Sequence, residues 1–191
     1  MCGISGYISK KSLVNSNAIE KTLNLMKRRG PDHRNYYKNI YQNKEVALLH
    51  SRLNIIDLKA RSNQPFQDGN YILIFNGEIY NYIELKKDLI KKNYKFKTNS
   101  DTEVLIKSYI EYGEKCVDHF IGMWTFAIWD NKKKTLFLSR DPFGEKPLYY
   151  YLSSEGFFFG SEIKFIKSLC KKNLNLILTK YKKIYFLDIN H

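Results

Sequence analysis

The chain has 191 residues, an apolar fraction of 43% and a formal net charge of +13. This length and composition are typical of a globular domain with a substantial core and exclude a disordered chain. Many of its lysines are scattered between apolar residues, as in LKKDLIKKNYKFK, which indicates a solvated face, and neither a nucleic-acid-binding motif nor a membrane-spanning apolar run is present.

The first half of the chain predicts strands separated by helices. CGISGYIS predicts a strand, and SNAIEKTLNLM has apolar residues at helical spacing before the stop signal RRGP. EVALLHSRLNIIDL is rich in leucine and β-branched residues and predicts one or two strands. YILIFNGEIYNY predicts a buried strand that runs into an Asn-Gly turn. YIELKKDLIKKN predicts an amphipathic helix with Ile83, Leu85, Leu89 and Ile90 as its apolar positions.

The second half predicts one longer helix, two hairpins and a short helix. SDTEVLIKSYIEYG begins with a capping-box pattern, because Glu103 follows Ser100 by three residues. MWTFAIWD and KTLFLSRD predict strands around a turn at Asp130, PLYYYLS and GFFFGSE predict another hairpin, and SEIKFIKSLC predicts a helix. Residues 171–191 show no clear period. Strands that follow one another directly favour an α+β fold in which helices cover antiparallel sheets.

The cysteine pattern favours free thiols. Cys2, Cys116 and Cys170 are odd in number and have no short spacing, which argues against a disulfide framework and against a zinc site. No signal peptide precedes Cys2. We therefore expect a cytoplasmic protein with reduced cysteines.

The position of Cys2 directly after Met1 admits a catalytic interpretation. Removal of Met1 would leave a thiol and a free α-amine on one residue. That amine has a reference pKa of about 7.7–8.0, so it could act as the general base for its own thiol. The alternative is a buried cysteine at the start of the first strand, which is the commoner situation for a single cysteine.

Four further residues have two interpretations each, one structural and one functional. Asn76 and Gly77 form a turn, or they form an oxyanion hole from an amide side chain and a backbone N–H. Asp101 is an acid in a first helical turn, or it pairs with a substrate ammonium group. Arg52 is a surface residue, or it grips a carboxylate. None of the four histidines has ligand spacing, and only His50 lies close to a candidate residue.

Nine sequence blocks together point to a known family. In chain order they are MCGI, RRGPD, LLHSRLNIIDL, NQPF, NGEIYNY, SDTEVL, GMWTFAIWD, RDPFGEKPLYY and GSEIK. This series resembles the N-terminal glutaminase domain of glutamine-hydrolysing asparagine synthetases, which are class II (N-terminal nucleophile) glutamine amidotransferases. The resemblance covers roughly residues 2–170 and is closer to asparagine synthetases than to glucosamine-phosphate synthases or amidophosphoribosyltransferases. It implies the four-layer αββα sandwich of the N-terminal nucleophile hydrolases.

The resemblance also implies a role for each matching position. Cys2 matches the nucleophile, and Asn76 and Gly77 match the oxyanion hole. Asp101 matches the partner of the glutamine α-amine. The remaining implied glutamine-binding residues are the carboxylate clamp Arg52 with its neighbours Leu53, Asn54, Ile55 and Ile56, and Glu78. The implied reaction is hydrolysis of L-glutamine to glutamate and ammonia, with no metal or organic cofactor and with neither nucleic acid nor membrane as a partner.

One feature of the family has no counterpart here. Its members continue into a synthetase domain that carries a Ser-Gly-Gly-x-Asp-Ser loop, and no stretch of this chain matches that loop. We therefore expect residues 171–191 to be a truncated linker or tail, with ATP and Mg²⁺ belonging to the absent domain.

Three interpretations of the whole chain remain open, and the sequence carries no information on its oligomeric state. The first is a glutaminase half that serves a separate synthetase chain or domain. The second is a free-standing class II amidotransferase for another acceptor. The third is a non-catalytic remnant that acts as a binding module.

Overall fold

The computed structural model describes residues 1–170 and the backbone of the strand Tyr185–Asp188. The strands in this part of the chain are β1 Gly3–Lys10, β2 His33–Tyr41, β3 Lys44–Arg52, β4 Phe66–Asp68, β5 Tyr71–Ile79, β6 Gly122–Asp130, β7 Thr135–Arg140, β8 Tyr149–Ser153, β9 Gly156–Gly160 and β10 Tyr185–Asp188. The α-helices are α1 Ser16–Met26, α2 Tyr82–Lys91, α3 Asp101–Tyr112 and α4 Ile163–Cys170. Apart from β10, the expected tail lies outside the described residues. No helix in the described part is long and apolar enough to cross a membrane.

The strands form two antiparallel sheets that pack face to face. The first sheet has the order β2-β3-β1-β9-β8, and the second has the order β10-β7-β6-β5-β4. Inner-face residues such as Leu48 and Trp129 form the core between the sheets. Helices α1 and α4 cover the outer face of the first sheet, where Met26 and Phe165 are buried, and α2 and α3 cover the second. The expected α+β fold with four αββα layers is confirmed.

The predicted Asn-Gly turn is wrong, because β5 continues through both residues. Asn76 is paired with Thr125 and Gly77 with Trp124 in the antiparallel register with β6. A side chain at position 77 would place its Cβ 2.2 Å from the carbonyl oxygen of Met123. Glycine is therefore needed here for the close approach of two backbones, which is the other common reason for a glycine inside a strand.

Other local predictions need smaller corrections. The segment EVALLHSRLNIIDL contains one strand, β3, and continues as a loop. Helix α2 buries Leu85 and Leu89, whereas Ile83 and Ile90 are about half exposed. The strands β2 and β4 were not expected, because both are edge strands with few fully buried positions and no clean apolar alternation.

The start of α3 is held by two different side-chain interactions. The Ser100 hydroxyl caps the helix by accepting a hydrogen bond from the Thr102 N–H at 3.2 Å. Glu103 does not complete the predicted capping box. Its carboxylate instead accepts hydrogen bonds from the backbone N–H groups of Lys97 at 2.9 Å and Thr98 at 2.6 Å. The buried Glu103 carboxylate thus fixes the segment that leads into α3.

We expect Glu103→Ala to lower the free energy of unfolding by about 1–3 kcal/mol, because two backbone donors beside the core lose their acceptor. Urea unfolding at neutral pH measures the change. Glu114→Ala removes an exposed carboxylate just beyond the same helix and serves as the matched control, with an expected change below about 0.5 kcal/mol. Equal losses in the two variants would contradict the assignment.

Candidate active site

Side-chain alternation brings three of the candidate residues to the same end of the sandwich. The even-numbered residues of β1, β3 and β5 face the space between the sheets and form its apolar core. Cys2, Arg52 and Asn76 continue these inner faces at the strand ends, because side chains in a strand alternate with a period of two. In the register of β1 with β3, Gly3 pairs with Ser51, so that Cys2 lies opposite Arg52.

Cys2 is held through both its thiol and its backbone. The Leu53 N–H donates to Sγ at 3.4 Å, and the thiol lies 3.6 Å from the Leu53 carbonyl oxygen. The Cys2 carbonyl accepts a hydrogen bond from Arg29 Nε at 2.9 Å, and Arg29 also pairs with Glu162 at 3.2 Å. Burial raises the pKa of the Cys2 thiol, so the thiol is protonated at neutral pH and needs a base. Arg29 belongs to the block RRGPD, but the sequence indicated no separate role for it.

A concave pocket with about 420 Å³ of empty space opens beside Cys2. Its lining residues are Cys2, Arg52, Leu53, Ile55, Ile56, Gln64, Phe75, Gly77, Glu78, Ser100, Asp101 and Thr102. Most of the predicted site residues are thus brought together. Asn54 and Asn76 do not line the pocket. The Asn54 backbone N–H donates to Asp32 at 2.7 Å, and Asn76 lies buried between two lining residues.

The Arg52 guanidinium is occupied by the loop that follows β3. Its Nη1 donates to the carbonyl of Lys59 at 3.2 Å and to Oδ1 of Asn63 at 2.7 Å. Its Nη2 donates to the carbonyls of Ile56 at 3.2 Å and Asp57 at 2.5 Å. Both terminal nitrogens therefore shape the loop that forms one wall of the pocket. A bidentate grip on a carboxylate through these nitrogens would have to displace loop carbonyls, so Arg52 is expected to act on a ligand chiefly through its charge.

Among the described residues, no strand adjoins the backbone edge of β5 beside the pocket. Strand β4 pairs with β5 only as far as Leu73. Beyond that point the Phe75 N–H donates to Gln64 Oε1 at 2.6 Å, and the Ile79 N–H donates to Asp101 Oδ2 at 3.2 Å. Because alternate residues of a strand direct their N–H groups to the same side, the Gly77 N–H also lies on this edge, where Gly77 lines the pocket.

The amide of Asn76 provides a second donor near the same point. Asn76 is 1% exposed, and its Nδ2 has no hydrogen-bond partner within the described residues. An unpaired buried donor costs about 1–3 kcal/mol. Such a cost is common where a donor is reserved for a ligand, and this donor adjoins Gly77 in the strand.

Asp101 is a buried carboxylate at the other side of the pocket. Its hydrogen-bond donors among the described residues are neutral groups, namely the N–H groups of Ile79 and Thr102 and the Ser100 hydroxyl. Burial raises its pKa to about 6, and the nearby Glu78 adds to the increase. At neutral pH Asp101 is therefore mostly ionised and without a cationic hydrogen-bond donor, which suits it to bind a substrate ammonium group. No group of three or more His, Cys, Asp or Glu side chains in the described residues could hold a metal ion.

Comparisons with known proteins identify the family of the chain. The glutamine amidotransferase domain family matches residues 1–189. Asparagine synthetase [glutamine-hydrolyzing] 3 of Bacillus subtilis is 40% identical over 172 residues, which are 87% of this chain and 27% of that protein. Putative asparagine synthetase [glutamine-hydrolyzing] 2 of Methanocaldococcus jannaschii is 40% identical over 191 residues, with 92% of this chain and 36% of that protein covered. The chain thus spans about a third or less of these relatives.

Two solved structures share the fold at 18% identity. The glutamine phosphoribosylpyrophosphate amidotransferase from B. subtilis, complexed with ADP and GMP, has a TM-score of 0.68 and covers 90% of this chain and 44% of its own. A structure described as the allosteric regulatory enzyme of purine biosynthesis has a TM-score of 0.70 and covers 87% of this chain and 43% of its own. At this identity the likeness concerns the fold alone.

We expect Asp101→Asn to stabilise the protein at neutral pH, because it removes a buried negative charge from the pocket. The folded-state pKa of about 6 exceeds the ordinary value of 3.8, so the folded protein binds more protons than the unfolded chain between these values, and its stability falls as the pH rises through this window. The variant lacks this loss and should gain about 1–3 kcal/mol in free energy of unfolding near pH 7.5, but little near pH 4. Urea unfolding at both pH values measures it. Asp88→Asn, at an exposed position, should show no such pH-dependent gain.

Proposed function

We propose that the chain, which belongs to the glutamine amidotransferase domain family, hydrolyses glutamine to glutamate and ammonia with Cys2 as the nucleophile. The observation that supports this most directly is the placement of the Cys2 thiol in one pocket with Asp101 and Arg52. A buried anion and a buried cation in one pocket match the α-ammonium and α-carboxylate groups of an amino acid. The Cys2 thiol lines the same pocket and is the group that would react with the side chain of that amino acid.

Glutamine binding follows from these charges. Asp101 pairs with the α-ammonium group, which offsets the cost of the buried carboxylate. The positive charge of Arg52 attracts the α-carboxylate towards the loop wall that includes Ile55 and Ile56. Glu78 lines the pocket from β5, near Asp101 and across from this loop.

The first half of the reaction forms a thioester. After removal of Met1, the free amine of Cys2 takes the proton of its own thiol, whose pKa is raised by burial. The thiolate attacks the side-chain carbonyl carbon of glutamine, and the resulting oxyanion accepts hydrogen bonds from Asn76 Nδ2 and the Gly77 N–H. The intermediate collapses as the Cys2 ammonium returns its proton to the leaving nitrogen, and ammonia departs.

The second half restores the enzyme. The Cys2 amine accepts a proton from water as the water attacks the thioester carbonyl. A second oxyanion forms in the same position, and its collapse releases glutamate and returns a proton to the thiol sulfur. No step of this half-reaction requires a metal or an organic cofactor.

The ammonia acceptor is proposed from the relatives. The two described above are named as glutamine-hydrolysing asparagine synthetases, and we propose that the ammonia made here serves asparagine synthesis on a separate synthetase chain or domain. ATP and Mg²⁺ would act there. We place the reaction in the cytoplasm, because a catalytic thiol must stay reduced.

We expect Cys2→Ala to abolish glutamine hydrolysis without unfolding the protein. A glutamine-analogue electrophile such as diazo-oxo-norleucine should label Cys2 in the wild type, because Cys116 and Cys170 are buried in the cores beneath helices. Peptide mapping by mass spectrometry identifies the labelled residue. Label on either of the other two cysteines would refute the assignment, as would an active preparation whose intact mass retains Met1 throughout.

We expect Asn76→Ala and Asp101→Asn to affect different kinetic constants. Loss of the Asn76 donor should lower kcat by about 10²–10³-fold with a small change in KM, because the donor acts mainly on the oxyanion. Asp101→Asn should mainly raise KM, because its ion pair with the ammonium group is equally strong in the ground and transition states. Steady-state glutamate production measures both constants, and the reverse pattern would show that the two roles have been exchanged.

A further inference from the structure

His50 forms a hydrogen bond between the two sheets. It occupies an inner-face position of β3, is fully buried, and its Nε2 lies 3.0 Å from the carbonyl oxygen of Phe75 in β5. Because a carbonyl oxygen can only accept, Nε2 carries the proton and Nδ1 has none. Burial also lowers the pKa of His50 to about 3, so the ring is neutral at physiological pH. Its single N–H is committed to Phe75, and the ring therefore has no free proton for acid catalysis.

The backbone of Phe75 is held by side chains at both its N–H and its carbonyl group. Its N–H group is bound by Gln64 Oε1, and Gln64 in turn donates through Nε2 to the Thr102 hydroxyl at 3.3 Å. Its carbonyl is bound by His50. These contacts replace the strand that β4 does not provide beyond Leu73.

The carbonyl that His50 binds belongs to the Phe75–Asn76 peptide, and Asn76 is the proposed oxyanion donor. Rotation of the Phe75–Asn76 peptide would move both the Asn76 side chain and the Gly77 N–H. The unprotonated His50 Nδ1 and the Asn76 Nδ2 are both buried and without a partner in the described residues. Within the described part of the chain, the bond from Nε2 is therefore the hydrogen bond through which the His50 ring acts on β5.

We propose that His50 is a positioning residue for the oxyanion hole. Its hydrogen bond to the Phe75 carbonyl sets the orientation of the Asn76 amide and the Gly77 N–H towards the reacting carbonyl of the substrate. This role rests on the proposed glutamine hydrolysis. It predicts an effect on the transition state and little effect on substrate binding, because the α-groups are bound by Asp101 at the start of α3 and by Arg52, whose guanidinium is held by the loop after β3.

Three substitutions at position 50 separate hydrogen bonding from packing. The amide nitrogen of glutamine can occupy the place of Nε2, because both atoms lie three bonds from Cβ, whereas the amide of asparagine is one bond shorter. His50→Leu removes the donor altogether. We expect His50→Leu and His50→Asn to lower kcat for glutamate production by about 10–100-fold with KM changed less than about threefold, and His50→Gln to restore most of kcat. Thermal unfolding of each variant checks the fold, and if His50→Leu does not fold, the Gln and Asn variants decide.

A double-mutant cycle tests whether His50 affects kcat through Asn76. In the Asn76→Ala background, His50→Asn should lower kcat by a smaller factor than it does in the wild type, because one of the two donors that His50 orients is already missing. Full additivity would overturn the proposal, as would equal kcat values for His50→Gln and His50→Asn, or a loss expressed in KM alone.

Nitrogen-15 NMR of the imidazole keeps this inference separate from the proposed function. The wild type should show a slowly exchanging Nε2 proton on a neutral ring at pH 7, and a protonated Nδ1 would overturn the inference whatever the activity. A different result would contradict the proposed function: wild-type protein that shows the Nε2 proton but hydrolyses glutamine no faster than Cys2→Ala. The catalytic part of the His50 role would then also be wrong. The hydrogen bond between the sheets would still stand.

Discussion

The unpaired edge of β5 is the constraint on which the site depends. Strand β4 is three residues long, so no strand in the described part of the chain pairs with that side of β5 from Phe75 onwards. Buried N–H and C=O groups must nevertheless be satisfied. Side chains from three other segments, Gln64, His50 and Asp101, meet this need. The Gly77 N–H lies between the satisfied groups and faces the pocket.

The same constraint explains why polar groups at the site are held at a cost to stability. A longer β4 would pair the edge and close the pocket. Leaving it open requires buried carboxylate, amide and imidazole groups beside an apolar core, and two of them, the Asn76 Nδ2 and His50 Nδ1 atoms, have no partner in the described residues. Asp101 shows the electrostatic part of this cost through its raised pKa. Sites that bind charged substrates commonly sacrifice stability in this way.

The pocket wall opposite β5 is the loop after β3, and its conformation depends on the guanidinium of Arg52 rather than on pairing with a strand. The loop after β3 has little regular structure, and Arg52 organises it by binding several of its carbonyls. Asp57 then ties the loop to the segment before α3 by accepting the Asn99 N–H at 2.9 Å, and the several hydrogen bonds to its carboxylate lower its pKa to about 2. Arg52 thus organises this loop, and Asp57 joins it to the segment that leads into α3.

Much of the fold could be predicted from the sequence alone. Apolar periodicity correctly indicated α1, α3, α4 and the two later hairpins, because these depend on contacts between near neighbours in the chain. The ordered blocks, read as a family resemblance, indicated the four-layer sandwich, the family and the cluster of Cys2, Arg52 and Asp101, although the catalytic roles of these residues stay predictions. Edge strands such as β2 carried too weak an alternation to be recognised.

Only the tertiary structure decided what surrounds these residues. Asn76-Gly77 lies inside a strand because β6 pairs with it, and local propensity had favoured a turn. The Arg52 guanidinium is turned to its own loop, and His50 and Gln64 bind the backbone carbonyl and N–H of Phe75 from 25 and 11 residues away. Local patterns report which face of an element is apolar, but a hydrogen bond between distant segments depends on how two sheets are placed against each other. That placement arises from the packing of the whole core, so no short stretch of the sequence encodes it.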